Sequence, residues 1–318
     1  SEAAENGRGR QLYGFAEFIQ RSGFGFRRVA VLPGNIGYID MTNFAHIDFA
    51  NPEDPARRAV DAALALVAAT DAVIIDLRDN GGGSPAMVGY IASAFTAPNA
   101  QIYNVFHSRS GEQNEAPAIY YPHPRLTVPL YILTSGRTGS AGEALPYTLQ
   151  AADRATIIGE ATYGGANPGG TFDAGAGFAV FISTGSPVNP ITGSNWEGSG
   201  VQPDIAIPSE GALDRAQLMA LDTLIAQGDA AYRLDREWAR SAFVPAEDIA
   251  QDMSALVGNY GGLTVTQSGT GLQVRQGRRP ALSLVPLGPG LFYRADNPLQ
   301  RYRFVTDESG AATALETL

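Results

Sequence analysis

The sequence predicts a layered α/β core followed by a small antiparallel β-domain. Three observations carry this. Apolar strand-like runs alternate with helical patterns from residue 29 to 228, two of those runs end in glycine-rich turns, and the texture changes after residue 245. With 318 residues, 44% hydrophobic and 17% charged, the chain can bury a sizeable core and form more than one domain.

Residues 1–28 begin polar, then carry a short amphipathic pattern over 12–19 and a Gly-Phe-Gly-Phe turn. Residues 28–32 and 36–41 flank Pro-Gly-Asn and read as a hairpin. Apolar residues spaced three and four apart predict a helix over 55–70. A buried-type strand follows, with β-branched Val73, Ile74 and Ile75, then three glycines at 81–83 and a helix over 86–95. The pattern then predicts a strand at 101–106, a polar excursion at 108–124, a strand at 130–133, a helix at 141–152 and a strand at 155–158. A glycine-laden loop at 163–177, a strand at 178–183, a long loop reaching residue 205 and a helix at 213–226 complete the core, taken as 29–228. Charged residues 229–244 read as a linker. Short strands at 263–266, 272–275, 283–286, 291–294 and 302–305, broken by Gly, Pro and Asn, predict the β-domain of 245–318.

Composition excludes several functions. A net charge of −10 and a pI near 4.8 argue against nucleic-acid partners and a polybasic membrane surface. No apolar run approaches the roughly 18–20 residues of a membrane span. Ser1 opens no signal peptide, so the chain reads as cytosolic, already processed or trimmed. The absence of cysteine excludes disulfides, thiolate catalysis and cysteine-bound metal. All 22 basic residues are arginine. Arginine stays protonated, so a Ser–Lys dyad is impossible and an activated serine must use a histidine or a carboxylate. His46, His107 and His123 form no metal constellation with carboxylates at useful spacing; neither metal nor cofactor is expected.

The segment 131–150 carries the chemistry. An apolar strand runs into a Gly/Ser/Thr turn that delivers Ser140, among small neighbours, to the mouth of a helix. Helix N-terminal N–H groups favour incoming negative charge, so such a serine can combine a nucleophile with half of an oxyanion hole. The competing reading is a helix N-cap, with Glu143 completing a capping box. The turn Asp79-Asn-Gly-Gly-Gly-Ser adds weight to the first. Three glycines imply unusual dihedrals or close approach to the backbone, and their N–H groups suit an oxygen gaining charge. No Gly-Lys-Ser/Thr and no dinucleotide spacing is present.

In order, strand–Asp-Leu-Arg-Asp-Asn-Gly-Gly-Gly, Leu-Thr-Ser-x-x-Thr-x-Ser-Ala-x-Glu, Gly-Glu-x-Thr-x-Gly and Glu-Gly-x-Gly-Val-x-Pro-Asp resemble the tail-specific (C-terminal processing) serine peptidase family. The branch with the tricorn core protease and the repeats of interphotoreceptor retinoid-binding protein is the nearer one; Leu-Pro-Gly-Asn-Ile-Gly-Tyr-Ile (32–39) matches the start of its core. The resemblance covers about residues 24–208. It implies a crotonase/Clp-protease-like core of repeated ββα units, a peptide or protein substrate and a periplasmic or secreted location, and it makes residues 1–28 the remnant of a helical module. The β-domain carries no motif by which a family resemblance is recognised.

Carried across, Ser140 matches the nucleophile. The N–H of Ala141 and one from the Gly81, Gly82, Gly83 turn match the oxyanion hole, and Glu197 the residue that orients the base. The lysine base of the processing branch would fall near Gly164 and Gly165, so the chain is placed with the histidine-using branch. There the histidine comes from an N-terminal Asp-Gly-His motif, which this sequence lacks. His46 reads as structural, and His107 and His123 as solvent-facing or at a groove rim. Either the histidine-bearing segment lies outside this sequence, or the base is lost and the protein binds a hydrophobic ligand or peptide without cleaving. A crotonase-like acyl-CoA enzyme is a third option, which leaves the presentation of Ser140 unexplained. Arg137 is a candidate for a substrate carboxylate or a surface role, and Gly164 and Gly165 for substrate contact. Glu160 and Trp196 read as a backbone acceptor and as packing. Oligomeric state is not legible.

Overall fold

Gly34 and Asn35, at φ 80° and 61°, turn β1 (Phe26–Leu32) back onto β2 (Ile36–Met41) in the positive-φ geometry that suits strand twist. Strand β2 is buried along its whole length, as are β3 (Ala72–Asp76) and β6 (Leu130–Thr134). Strands covered on both faces read as continuous apolar runs because helices cross over a parallel sheet. Here β2, β3, β6, β7 (Thr156–Gly159) and β11 (Ile205–Ala206) run parallel, in the order β1-β2-β3-β6-β7-β11.

The crossovers from β2 to β3, from β3 to β6 and from β6 to β7 are helical, whereas β7 reaches β11 through residues 160–204, which carry no helix. Helix α1 (Pro55–Leu66) starts at Asp54, whose carboxylate accepts from Arg57 N–H at 2.8 Å, and α2 (Pro85–Ser93) starts at Ser84. Both carry proline in the first turn, where no N–H is needed. Helix α3 (Ala141–Ala151) packs against α2, and α4 (Ala212–Ala226) follows β11. The structure, a computed structural model, describes residues 17, 19–229, 231–243 and 252–317. The helix expected over 12–19 lies mostly outside them. The chain divides into two compact units, Ser1–Thr223 and Leu224–Leu318. Residues 233–241, within the stretch read as a linker, form α5 (Arg233–Ser241).

Three expectations for the first unit change. The strand expected at 101–106 begins later, as β4 (Val105–Ser108), paired with β5 (Gly111–Asn114). Ile102, Tyr103 and Asn104 are buried in irregular backbone, which imitates a strand in sequence. The second half of the 163–177 loop is β8 (Gly169–Gly175), hairpinned to β9 (Phe178–Ser183) through Ala176 and Gly177 at φ 51° and 81°. The long loop that follows contains β10 (Gly185–Val188), which pairs with β4.

The second unit is one antiparallel sheet with strands in sequential order. These are β12 (Gly258–Tyr260), β13 (Leu263–Ser268), β14 (Gly271–Gln276), β15 (Leu282–Gly288), β16 (Leu291–Arg294), β17 (Asn297–Thr306) and β18 (Ala312–Thr317). The first and last strands approach each other, so the sheet nearly closes around Leu256, Val265, Val274, Leu284, Phe292 and Phe304. Seven strands stand where the sequence suggested five.

One buried carboxyl makes a pH-dependent contribution. Glu115 is enclosed against Asn104 and Thr148; Oε2 accepts from Asn104 Nδ2 at 2.7 Å, and Oε1 has no partner. Burial pushes its pKa up to about 7 from an ordinary value of 4.5, against the hydrogen bonds from Asn104 and Thr148. The folded state therefore holds this proton more tightly than the unfolded chain. Its stabilisation is complete below about pH 4.5 and is lost as pH rises through about 7, by about 3 kcal/mol in total. Glu115→Gln is expected to gain that much stability relative to the parent between pH 4.5 and pH 8.5 in urea unfolding. A constant difference between the two proteins across that range overturns the assignment.

Candidate active site

Ser140 lies between β6 and α3, and the turn before it is stitched to the turn after β3. Thr138 Oγ1 donates to Leu77 O at 2.8 Å, and Gly139 N–H donates to Asn80 O at 3.0 Å. Gly142 completes the approach: a Cβ there would meet Asn80 O at 2.7 Å. Ser140 itself has φ 54° and ψ −125°, unusual for a non-glycine residue and characteristic of strained sites that expose a side chain. The residue is exposed. Ser140 and Glu143 stand at capping-box positions, and the Glu143 half is well formed, with Ser140 N–H donating to Oε2 at 2.7 Å. The Glu143 N–H, toward which the hydroxyl stands in capping position, bonds Ser140 O at 2.9 Å, and the hydroxyl makes no separate hydrogen bond among the described residues, so the cap reading does not consume it.

The glycine turn meets this serine. A Cβ on Gly82 would lie 2.8 Å from Ser140 Cβ and 3.2 Å from its Oγ. Gly82 and Gly83 have φ 113° and 137°, closed to ordinary side chains. Their donors are unequal. Gly81 N–H bonds Thr42 O at 3.2 Å and Gly82 N–H bonds Asn80 Oδ1 at 2.9 Å, so the donors of Gly81 and Gly82 are committed. Gly83 N–H and Ala141 N–H have no acceptor among the described residues.

Two carboxylates hold the loop 162–167 beside Ser140. Fully buried Glu143 accepts from Thr162 Oγ1 (2.5 Å), Gly164 N–H (2.6 Å) and Gly165 N–H (2.9 Å) in addition to Ser140 N–H. Exposed Glu197 accepts on Oε2 from Ala166 and Asn167 N–H at 2.8 and 2.9 Å, while its Oε1 has no partner among the described residues. Gly164 and Gly165 therefore spend their donors on Glu143. Gly164 has φ 89°, and a Cβ there would lie 3.0 Å from Gly200 N, which leaves no room for a lysine.

Other residues fall at the edge. A pocket of about 930 Å³ opens on the glycine turn, with Phe24 and Phe44 in its wall and His46 beside Ser84. His46 Nδ1 lies 3.2 Å from Ser84 Oγ; His107 pairs with Glu112 at 3.1 Å; His123 sits edge-on to Tyr121. Among the described residues no histidine is hydrogen-bonded to Ser140 or Glu197. Arg137 donates from Nε and Nη2 to Asp79 at 3.0 and 2.7 Å, and Arg27 binds the other Asp79 oxygen at 3.0 Å. Arg137 and then Arg27 hold the Asp79 carboxyl below its usual range. Glu160 accepts from Ser209 and Gly136 N–H, and these bonds hold its carboxyl low. Sequence reasoning missed Asn80, Tyr163 and the full role of Glu143. Asn80 could have been found as an Asx turn before glycine. Tyr163, 76% exposed with its Cβ beside Gly139, carried no signal.

The α/β core thus lifts an accessible serine over a glycine turn, beside N–H groups that have no acceptor among the described residues. The particular family follows from the whole segment: the chain belongs to peptidase family S41, whose model matches residues 35–207. It is 26% identical over 131 residues to carboxyl-terminal-processing peptidase 1, chloroplastic, of Arabidopsis thaliana, a match over 41% of this chain and 26% of that protein. The chain thus spans about a quarter of the curated relative it matches. Among solved structures, it resembles the photosystem II D1 C-terminal processing protease (21% identity, TM-score 0.43, 57% of this chain and 45% of that one). It also resembles a lipoprotein from Streptococcus agalactiae (19% identity, TM-score 0.48, 65% and 74%) and the tricorn protease (19% identity, TM-score 0.35, 61% and 18%).

Proposed function

We propose that the protein is a serine peptidase in which Ser140 attacks a peptide carbonyl. The observation that carries this is the exposed Ser140, strained in φ and unbonded at its hydroxyl, in contact with the glycine turn. In the step, Ser140 Oγ bonds to the carbonyl carbon and its proton passes to a base, while the carbonyl oxygen takes up negative charge. Ala141 N–H and Gly83 N–H supply the oxyanion donors; Gly82 N–H joins only by releasing Asn80 Oδ1. Glu143 does not touch the reacting atoms. It fixes the amide of Ser140 and the 162–167 loop. Glu197 keeps Oε1 available to orient an imidazole. In this reading the imidazole belongs to a histidine other than His46, His107 and His123, whose contacts lie elsewhere. The exposed Arg137 guanidinium lies at the rim as a candidate for a substrate carboxylate, although Asp79 already holds two of its nitrogens.

The test is covalent. A fluorophosphonate probe is expected to modify Ser140, mapped by mass spectrometry, and Ser140→Ala protein is expected to show no adduct. Equal labelling of the Ser140→Ala protein, or an adduct on another serine, overturns the proposal. A second reading is a binder of apolar peptides or ligands without turnover, because among the described residues His46 faces Ser84 and His107 faces Glu112 rather than Ser140. Ligand-induced stabilisation without labelling at Ser140 would select it.

A further inference from the structure

The second unit has a built cavity that the peptidase reading does not use. Successive side chains on a strand alternate between faces, so positions two apart share one. On the face that packs the interior, Val274 is followed by Gln276 on β14, and beyond the paired Phe292 and Tyr302 the irregular end of the β16–β17 pair brings Arg294 and Gln300 together. At one end, therefore, the interior of this nearly closed sheet turns from apolar to polar. A cavity of about 300 Å³ opens there, bordered by these polar residues and Arg279, with Leu282 and Tyr302 among its apolar lining.

The polar groups are matched to an acceptor. Gln300 Oε1 accepts from Arg294 Nη1 at 2.6 Å, and Gln276 Oε1 accepts from Arg279 Nη1 at 3.1 Å. Both glutamines spend their carbonyl oxygens on arginines, which leaves amide NH2 groups as donors. Arg294 is neutralised by Asp296 through Nε and Nη2 at 2.8 and 2.9 Å. Arg279 has no carboxylate partner among the described residues and is the uncompensated cation of the mouth. Donors and one free positive charge in a mostly polar mouth, beside the side chains of Leu263, Val274 and Leu282, fit a small carboxylate that carries a short apolar group. A cavity of about this volume is at the lower end of small-molecule sites.

We infer that the mouth of the β-domain binds a small apolar carboxylate through Arg279, Gln276 and Gln300. The site is independent of the chemistry at Ser140. The test is calorimetric titration of the full chain with N-acetyl-leucine, N-acetyl-leucinamide and inorganic phosphate. N-acetyl-leucine is expected to bind saturably with one site, and the amide at least tenfold more weakly. Arg279→Gln, at an exposed turn position, is expected to weaken the acid at least tenfold with an unchanged melting curve. Gln300→Glu, which places a carboxylate at the mouth, is expected to abolish binding. Equal binding of acid and amide, or an unchanged affinity in Arg279→Gln, overturns the inference. Phosphate as tight as the acid overturns the requirement for an apolar group. Binding retained in Arg279→Gln but lost after modification of Ser140 would place the ligand in the first unit and overturn it as well.

Discussion

Glu143→Ala lowers the unfolding free energy of the first unit by about 3–5 kcal/mol, at the high end for a single substitution. The reason is the number of groups the carboxylate satisfies at once. Ser140 N–H, Gly164 N–H, Gly165 N–H and Thr162 Oγ1 all donate to a side chain shielded from solvent. Alanine leaves those donors without an acceptor, and each unsatisfied buried group costs on the order of 1–3 kcal/mol. Partial relaxation and water entry keep the sum below a simple addition. Urea unfolding measures the loss, and hydrogen exchange at the Gly164 and Gly165 amides localises it. Glu143→Gln keeps one acceptor oxygen and is expected to lose about half as much. A change below about 1 kcal/mol in Glu143→Ala would remove Glu143 from its organising role.

Gly82→Ala has the second largest expected effect, and it falls on reactivity more than on folding. Its Cβ would stand 2.8 Å from Ser140 Cβ, inside any real Cβ contact, and a tight 3.0 Å from Gly139 O, at φ 113°. The backbone cost is on the order of 1–3 kcal/mol. The larger consequence is displacement of Ser140. Misplacement of a reacting atom by about 1 Å costs about 100-fold in rate, so fluorophosphonate trapping is expected to slow by at least about that factor. Gly81→Ala supplies the comparison, because its Cβ meets no atom within 4 Å and its φ is not positive. It is expected to lose far less. Equal losses at 81 and 82 would show that contact with Ser140 is not what the turn requires.

Both expectations concern residues the sequence named unevenly. Gly82 stood out as one of three consecutive glycines, yet the spacing could not say which of them met the serine. That depended on parallel pairing of β3 with β6, which sets the turns after the two strands side by side. Glu143 was legible as a capping residue because its partner lies three positions away. Its hydrogen bonds to Gly164 and Gly165, 21 and 22 residues distant, were not. Strand β8 was read as loop because glycine content hid the alternation that its pairing with β9 imposes. The irregular segment at Ile102–Asn104 was read as strand because burial produces the same apolar signature as a sheet.

Amino-acid order alone determined the layered α/β core, the trailing β-domain, the exclusion of thiol and lysine chemistry, and the candidacy of Ser140. These follow from local periodicity and from which residue types are present at all. Tertiary structure decided which amide donors remain uncommitted, that Gly164 has no space for a side chain, and that Arg137 is held by Asp79. Those outcomes depend on distances between segments far apart along the chain. Hydrogen bonds and van der Waals contacts act over about 3–4 Å, a scale that only the folded backbone sets.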